Sequence, residues 1–287
     1  MSTKAIDHNE NWTEVIEPRT SLLDLRLTEV WRYRDLLMLL VKRDFVATYK
    51  QTILGPVWFF LQPVLTTIVF TVIFGGIAGI STGGIPKMLF YLAGLTLWNY
   101  FAECLNRTAT VFKDNAQVFG KVYFPRLVMP LSIVVSNLVK LGIQFALFMG
   151  FWVYFRLTTM QVHPNSAILL TPVLVLIMGM LGLGFGMIIS AMTTKYRDLV
   201  YLLGFGVQLL MYTTPVIIPL AEVKPQNRWL FLANPMSSII ETFRYAFTGS
   251  GTLSIQGLAY SAAIAIAALV IGTITFNRVE RSFMDTV

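Results

Sequence analysis

Six stretches of the chain are almost free of charged residues, and each is long enough to cross a lipid bilayer. The stretches are residues 53–80, 88–108, 127–155, 167–192, 199–218 and 258–276. A helix needs about 20 predominantly apolar residues to span the hydrocarbon core, because each residue adds only about 1.5 Å of length. We therefore predict an all-α integral membrane protein, with a domain of six transmembrane helices over residues 53–276.

The composition supports this fold class. Of the 287 residues, 55% are hydrophobic and only 13% are charged, whereas a soluble domain carries about 25% charged residues. The net charge of +7 comes from basic residues that flank the apolar stretches. This pattern indicates contact with a membrane surface rather than with nucleic acid. The single cysteine, Cys104, excludes a disulfide within the chain and a cysteine-based metal site.

Basic residues divide unequally between the two sides that six spans define. With both termini on one side, that side carries 16 of the 22 lysines and arginines, and the opposite side carries five. The positive-inside rule then places both termini in the cytosol. We expect residues 1–30, which lack the apolar core of a signal peptide, to form a polar cytosolic tail, and residues 277–287 to form a second one.

Ionisable residues inside the six stretches are few. Asn99, Glu103 and Arg107 interrupt the second stretch, and we expect Glu103 and Arg107, four residues apart, to neutralise each other near the membrane edge. Lys140 is the only ionisable residue deep within a stretch. It could pair with Glu103, extend its amine to the interface, or face a water-filled pathway.

Residues 31–52 predict an amphipathic helix that lies in the inner membrane interface. Its apolar residues recur at helical spacing, at Leu37, Val41, Phe45 and Tyr49. Its basic residues are Arg32, Arg34, Lys42, Arg43 and Lys50. The helix is either a simple anchor or a lever that passes motion from a cytosolic partner to the first span.

Two loops carry more structure than a connector needs. Residues 113–130 mix aromatic with basic side chains, which is typical of a protein-docking surface but also of an interfacial helix that has no partner. On the external side, residues 219–250 contain a helix too short to cross the bilayer. Asn234 is its expected N-cap, Pro235 its first residue and Gly249 its end. This helix either caps a pathway or rests in the outer leaflet.

The sequence contains no catalytic constellation. HExxH, Gly-x-Ser-x-Gly and Walker A motifs are all missing, so we expect neither an enzyme nor a chain that hydrolyses ATP. The glycine-rich run at residues 179–186 lies inside a stretch and predicts close helix packing. Most of the many aromatic residues suit an interfacial belt, although some could stack against sugars.

Four segments resemble the membrane subunits (permeases) of bacterial ABC transporters that export polysaccharide. In chain order they are RYRDLLMLLVKRDFVATYKQTILGPVWFFLQP (residues 32–63), VFGKVYFPRLVMPL (118–131), KYRDL (195–199) and NPMSSIIETFRYAF (234–247). The resemblance covers residues 31–276. It is strongest to O-antigen export permeases, with capsule and teichoic-acid export permeases as close relatives.

The resemblance implies an inner-membrane subunit that works as a homodimer, with the pathway between the two copies. Two copies of a separate nucleotide-binding subunit would hold ATP and Mg²⁺ on the cytosolic face, so that this chain binds no cofactor. The substrate would be a polysaccharide linked to polyprenyl pyrophosphate. Residues 31–52 would be the interface helix, residues 113–126 the coupling helix, and residues 219–250 the re-entrant region.

The resemblance also assigns roles to individual residues. A role in coupling to the ATPase is implied for Lys113, Asp114, Phe119, Lys121, Tyr123, Phe124, Pro125, Arg126, Tyr196, Arg197 and Asp198. The lateral gate and the lipid head-group site would include Arg43, Lys50, Leu54 and Gly55. The aromatic lining of the channel would include Trp58, Phe59, Trp98, Tyr100 and Tyr212.

Three other functions compete with this one. A small-molecule ABC exporter would lack the polysaccharide-type start of the chain. A secondary transporter or channel usually has more intramembrane charges. An intramembrane enzyme would need catalytic groups that the sequence does not contain.

Overall fold

The structure, a computed structural model, describes residues 31–50, 52–119, 124–159, 162–196 and 198–284, and these contain helices and no strand. The helices are α1 (Arg34–Tyr49), α2 (Trp58–Phe70), α3 (Lys87–Ala109), α4 (Val111–Asp114), α5 (Ala116–Phe119), α6 (Val128–Thr159), α7 (Thr171–Thr193), α8 (Leu199–Tyr212), α9 (Arg228–Ala233), α10 (Pro235–Thr248) and α11 (Ile255–Met284). The predicted all-α fold is confirmed over the described residues.

Within the described residues, four helical segments are long and apolar enough to cross a membrane. They are Gly55–Ile77, Val128–Thr159, Ser166–Thr193 and Ile255–Val279, and they make this a membrane-embedded protein. Helix α3 matches the second predicted stretch in length, but its polar residues exclude it from this group. Helix α8 has only 14 residues and ends at Tyr212 rather than at residue 218, because residues 213–218 form turns.

Helices α6 and α11 extend further at their C-terminal ends than the sequence predicts. Helix α6 continues to Thr159, beyond the predicted end at residue 155. Helix α11 continues to Met284, so that residues 277–284, predicted as part of a tail, prolong the last span.

The core is built around α7, which packs closely against α3 and α11. Its glycines make this possible. A Cβ added at Gly182 would lie 2.7 Å from the Cβ of Cys104 on α3, and one added at Gly184 would lie 2.6 Å from the carbonyl carbon of Ala268 on α11. The prediction that the 179–186 run permits close helix packing is confirmed.

Helix α10 is enclosed by α3, α7 and α11. Its apolar stripe is buried, at Met236, Ile239, Ile240, Phe243 and Phe247. The polar side chains between them, among them Glu241 and Arg244, are buried as well. The alternative in which this helix rests in the outer leaflet is therefore wrong, because a helix resting in lipid would leave one face outside the protein.

The predicted ends of α10 are confirmed. The Asn234 side chain accepts a hydrogen bond from the Met236 N–H at 3.0 Å, as an N-cap does. Gly249 ends the helix with a φ of 75°, the left-handed conformation that glycine adopts without a Cβ clash.

The bundle has two ends, which are named here by their helices. The α1 end contains α1 and the described residues 109–119, 124–128, 193–196 and 198–199. The α10 end contains residues 77–87, 162–171 and 212–255, including α9 and α10.

Candidate functional site

A buried carboxylate joins α1 to the rest of the α1 end. Asp44 is only 8% exposed, and its two oxygens lie 2.9 Å from Nη2 of Arg43 and 2.9 Å from Nη2 of Arg107. Because Arg107 is in the last turn of α3, this bridge fixes α1 across the end of that helix. A carboxylate held between two guanidinium groups is a charge-assisted arrangement that also orients both arginines.

The expected pair between Glu103 and Arg107 is wrong. Arg107 turns to Asp44 instead, and Glu103 pairs with Lys140 of α6, whose Nζ lies 3.7 Å from Glu103 Oε2. The spacing of four residues allowed the first pair, but the packing of α1 and α6 against α3 offers each residue a partner on another helix. The pairing of Lys140 with Glu103, one of the alternatives that the sequence left open, is confirmed.

A cavity of about 540 Å³ opens at the α1 end, between α1, the end of α3, α4, α5 and the start of α6. Its walls include Arg43, Asp44, Arg107, Lys113, Asp114 and Ser132. The wall is therefore polar and carries three cationic and two anionic side chains. Within the described residues, no group of three or more His, Cys, Asp and Glu side chains could hold a metal ion.

The predicted ATPase contacts separate into exposed and buried sets. Lys113, Asp114, Tyr196 and Asp198 are exposed at the α1 end, so they remain available as docking residues. Phe119 belongs to α5, but its side chain, like all of Lys121, Tyr123 and Arg197, lies outside the described residues.

Phe124, Pro125 and Arg126 are buried in the single chain, so they do not offer an exposed surface to a partner, and their role in coupling to the ATPase stays a prediction. Phe124 belongs to an apolar cluster that includes Leu40 of α1 and Phe276 of α11. The same cluster contains Phe112 of α4 and therefore joins that short helix to α1 and α11. The sequence could not reveal this, because an aromatic next to an arginine suits a docking surface and a small core equally well.

The residues predicted for the lateral gate lie around the turn between α1 and α2. Lys50 and Leu54 are exposed, and Gly55 has a φ of 51°, a value that favours glycine. Arg43 is partly exposed and donates to Asp44. Their role at a gate stays a prediction.

The predicted channel aromatics do not share one environment. Trp58 and Tyr212 are about half-exposed, whereas Phe59, Trp98 and Tyr100 are buried within the protein. Phe59 stacks on Phe45 of α1, with the ring centroids 5.4 Å apart. The three buried rings are enclosed by helices of the same chain, so they are not available to line a pathway in this structure. Trp58 and Tyr212 keep that assignment as a prediction.

A buried polar cluster at the α10 end is absent from the sequence-based predictions. Arg244, 1% exposed, lies with Nη1 3.6 Å from Glu241 Oε1. Its guanidinium donates to the carbonyl oxygens of Pro215 and Val216, the latter at 3.0 Å. It also lies over the ring of Phe90, with Cζ 3.6 Å from the centroid.

Glu241 completes this cluster, because its Oε1 accepts the N–H of Leu220 at 3.2 Å. Arg244 and Glu241 together fix the turn after α8 against α10 and α3. The sequence signal was present as a glutamate and an arginine three residues apart in an otherwise apolar helix.

The sequence profile of one protein family matches most of the chain. The family is described as ABC-2 type transporter, and its profile matches residues 35–248. The match includes α1 apart from its first residue, the cavity, the ion pairs of Asp44, Glu103 and Glu241, and the whole of α10.

Characterised proteins with similar sequences share one printed name. The O-antigen export system permease protein RfbA of Myxococcus xanthus is 28% identical over 268 residues, which cover 90% of this chain and 98% of that protein. Two proteins of the same name from Klebsiella pneumoniae are 27% and 26% identical, and each alignment covers 88% of this chain and 94% of the relative. The similarity thus extends over nearly the full length of both partners.

Proposed function

The chain belongs to the ABC-2 type transporter family, and we propose that it is the membrane subunit of an ATP-driven exporter of a polyprenyl-pyrophosphate-linked polysaccharide of the O-antigen type. The observation that carries the proposal is the similarity to three O-antigen export permeases over about nine-tenths of this chain. A relative that shared only a short motif with this chain would support membership of the family but not the kind of substrate.

The proposed arrangement places the α1 end in the cytosol of a bacterial cell and embeds the bundle in its inner membrane. The excess of lysine and arginine at this end supports the orientation. Helices α3 and α8 complete six spans, with the turns at residues 213–218 extending α8 towards the outer surface.

The pathway forms between two copies of the chain. Helices α2 and α8 support this part of the proposal, because both leave large apolar side chains exposed, among them Trp58, Leu65, Tyr201 and Phe205. Val207 is the only residue of α8 that is fully buried in a single copy. A second copy would cover part of these two helices and leave the remainder along the pathway.

A separate nucleotide-binding subunit docks at the α1 end of each copy and supplies ATP hydrolysis. Its contacts are the exposed residues Lys113, Asp114, Tyr196 and Asp198. Motion of α4 and α5 reaches the bundle through the apolar cluster beneath them, in which Phe112 stacks on Phe276 of α11 at 4.5 Å.

The test is co-purification with a candidate ATP-binding-cassette subunit from the same organism, together with an assay of polysaccharide at the cell surface. Lys113→Glu combined with Tyr196→Ala is expected to abolish both the complex and export. Lys224→Glu, an exposed change at the α10 end, is the matched control and should preserve both. Normal surface polysaccharide in cells that lack this chain would refute the proposal, and a complex that exports only small molecules would identify another kind of ABC exporter.

A further inference from the structure

The ion pair between Glu103 and Lys140 is exposed at a depth where lipid would otherwise surround it. The Glu103 side chain is 52% exposed and that of Lys140 is 21% exposed. Glu103 lies six residues from the end of α3, or about 9 Å into the helix, and Lys140 lies twelve residues, or about 18 Å, from the start of α6. Since α3 has 23 residues and is about as long as the 30 Å hydrocarbon core is thick, the pair lies at membrane depth.

A half-exposed carboxylate is costly against lipid tails. Charged side chains at membrane depth face either the protein interior or a water-filled cavity. Because Glu103 is not enclosed by its own chain, its exposed side must meet water or a polar surface.

The pair does not line the 540 Å³ cavity, but it lies on the same two helices, deeper in the bundle. Arg107 in the cavity and Glu103 are four residues apart on α3, and therefore lie on the same face of that helix. Ile133 in the cavity and Lys140 are seven residues apart on α6, which is two helical turns. The faces of α3 and α6 that reach the cavity therefore also carry the ion pair.

Helices α1 and α2 are the neighbours of this surface towards the α1 end. Helix α1 crosses at Asp44 and packs against α6, whereas α2 packs against both α3 and α6. The exposed turn at Leu54 and Gly55 joins α1 to α2.

We propose that Glu103 and Lys140 form the inner wall of a water-filled cleft that opens at the α1 end, and that this cleft receives the hydroxyl- and phosphate-bearing part of the lipid-linked substrate. A carboxylate and an ammonium group offer hydrogen-bond acceptors and donors to sugar hydroxyls. The arginines at the mouth suit phosphate oxygens. The assignment of this ligand rests on the proposed function, whereas the presence of water in the cleft does not.

The first test measures the water directly, in inverted membrane vesicles that expose the cytosolic side. In a Cys104→Ser background, Lys140→Cys and Glu103→Cys are each treated with a charged, membrane-impermeant thiol reagent. Val139→Cys is the matched control, because Val139 is its sequence neighbour and is itself exposed on another side of α6. Positions 140 and 103 are expected to react more than about tenfold faster than position 139, because only a hydrated thiol ionises to the reactive thiolate.

Equal rates at positions 139, 140 and 103 would overturn the cleft. So would reaction only when the reagent is applied to the outer face of intact cells, because the cleft would then open on the opposite side. Neither readout needs the ATPase or the substrate, so this result and that of the proposed function can fail separately.

The second test asks whether the cleft serves export. Glu103→Leu with Lys140→Leu removes both charges together and is expected to leave folding intact, because replacing both members of a pair by apolar groups is often neutral. Export should nevertheless fall at least tenfold. The swapped variant, Glu103→Lys with Lys140→Glu, keeps a polar wall and should retain most of the export. Wild-type export by the double leucine variant, at equal abundance in the membrane, would show that the pair is no part of the pathway.

Discussion

Two glutamate–base pairs in the described part of the protein have the same chemistry and opposite environments. In the pair at the α10 end, the side chains of Arg244 and Glu241 are 1% and 4% exposed, and backbone groups of three other segments complete their hydrogen bonds. In the pair nearer the α1 end, the side chains of Lys140 and Glu103 are 21% and 52% exposed, with 3.7 Å between the charged atoms.

This difference indicates what each pair does. A buried pair that is hydrogen-bonded to the backbone of three segments fixes them in one geometry, and removing one partner leaves an uncompensated charge in the interior. An exposed pair contributes little to the free energy of folding. Its presence in an apolar stretch is therefore explained better by a role in the transport pathway than by a role in stability. Each of the following variants tests whether burial, rather than charge, decides the effect.

The largest loss of stability is expected for Arg244→Leu. It leaves the Glu241 carboxylate without its cationic partner and the carbonyls of Pro215 and Val216 without their donor, and should cost roughly 3–5 kcal/mol of folding free energy. The measurement is the fraction of protein that stays monodisperse after heating in detergent. Arg228→Leu, which removes an exposed arginine at the same end, is the control and should behave like the wild type. If both variants lose monodispersity at the same temperature, the buried cluster does not stabilise the α10 end.

An intermediate loss is expected for Asp44→Asn. Asp44 is buried as Glu241 is, but its partners Arg43 and Arg107 are partly exposed and can be hydrated when the carboxylate is lost. The cost should be about 1–3 kcal/mol, the range for hydrogen bonds to charged groups. The same heating assay measures it, with Asp35→Asn as control, since Asp35 is almost fully exposed beside Arg34. A melting temperature equal to that of the control would show that α1 is held by its apolar contacts alone.

The smallest loss is expected for Lys140→Gln and Glu103→Gln. Each should lower the folding free energy by less than about 1 kcal/mol, because exposed pairs gain little from their attraction. A double-mutant cycle on melting temperatures measures the coupling between the two residues. A coupling energy as large as the loss of stability in Arg244→Leu would show that the exposed pair stabilises the fold as much as the buried pair does.

Much of the architecture is readable from the sequence because local rules govern it. The lengths of the apolar stretches predict the helices, Asn234 and Gly249 mark the ends of α10, and the glycines of residues 179–186 predict a tight crossing. These signals depend on the residue itself or on its near neighbours. They are independent of how distant helices are arranged.

The choice of partners and of buried faces is decided only by the tertiary structure. Glu103 and Arg107 have the spacing of a pair, yet each bonds to another helix, and Phe124 and Arg126 enter a core where a docking surface was expected. In a soluble protein, the contrast between apolar and polar faces would reveal which side is buried. In a membrane protein, lipid and protein interior are both apolar, so the sequence determines that α3, α6 and α10 are helices but not which of their faces meets protein, lipid or water.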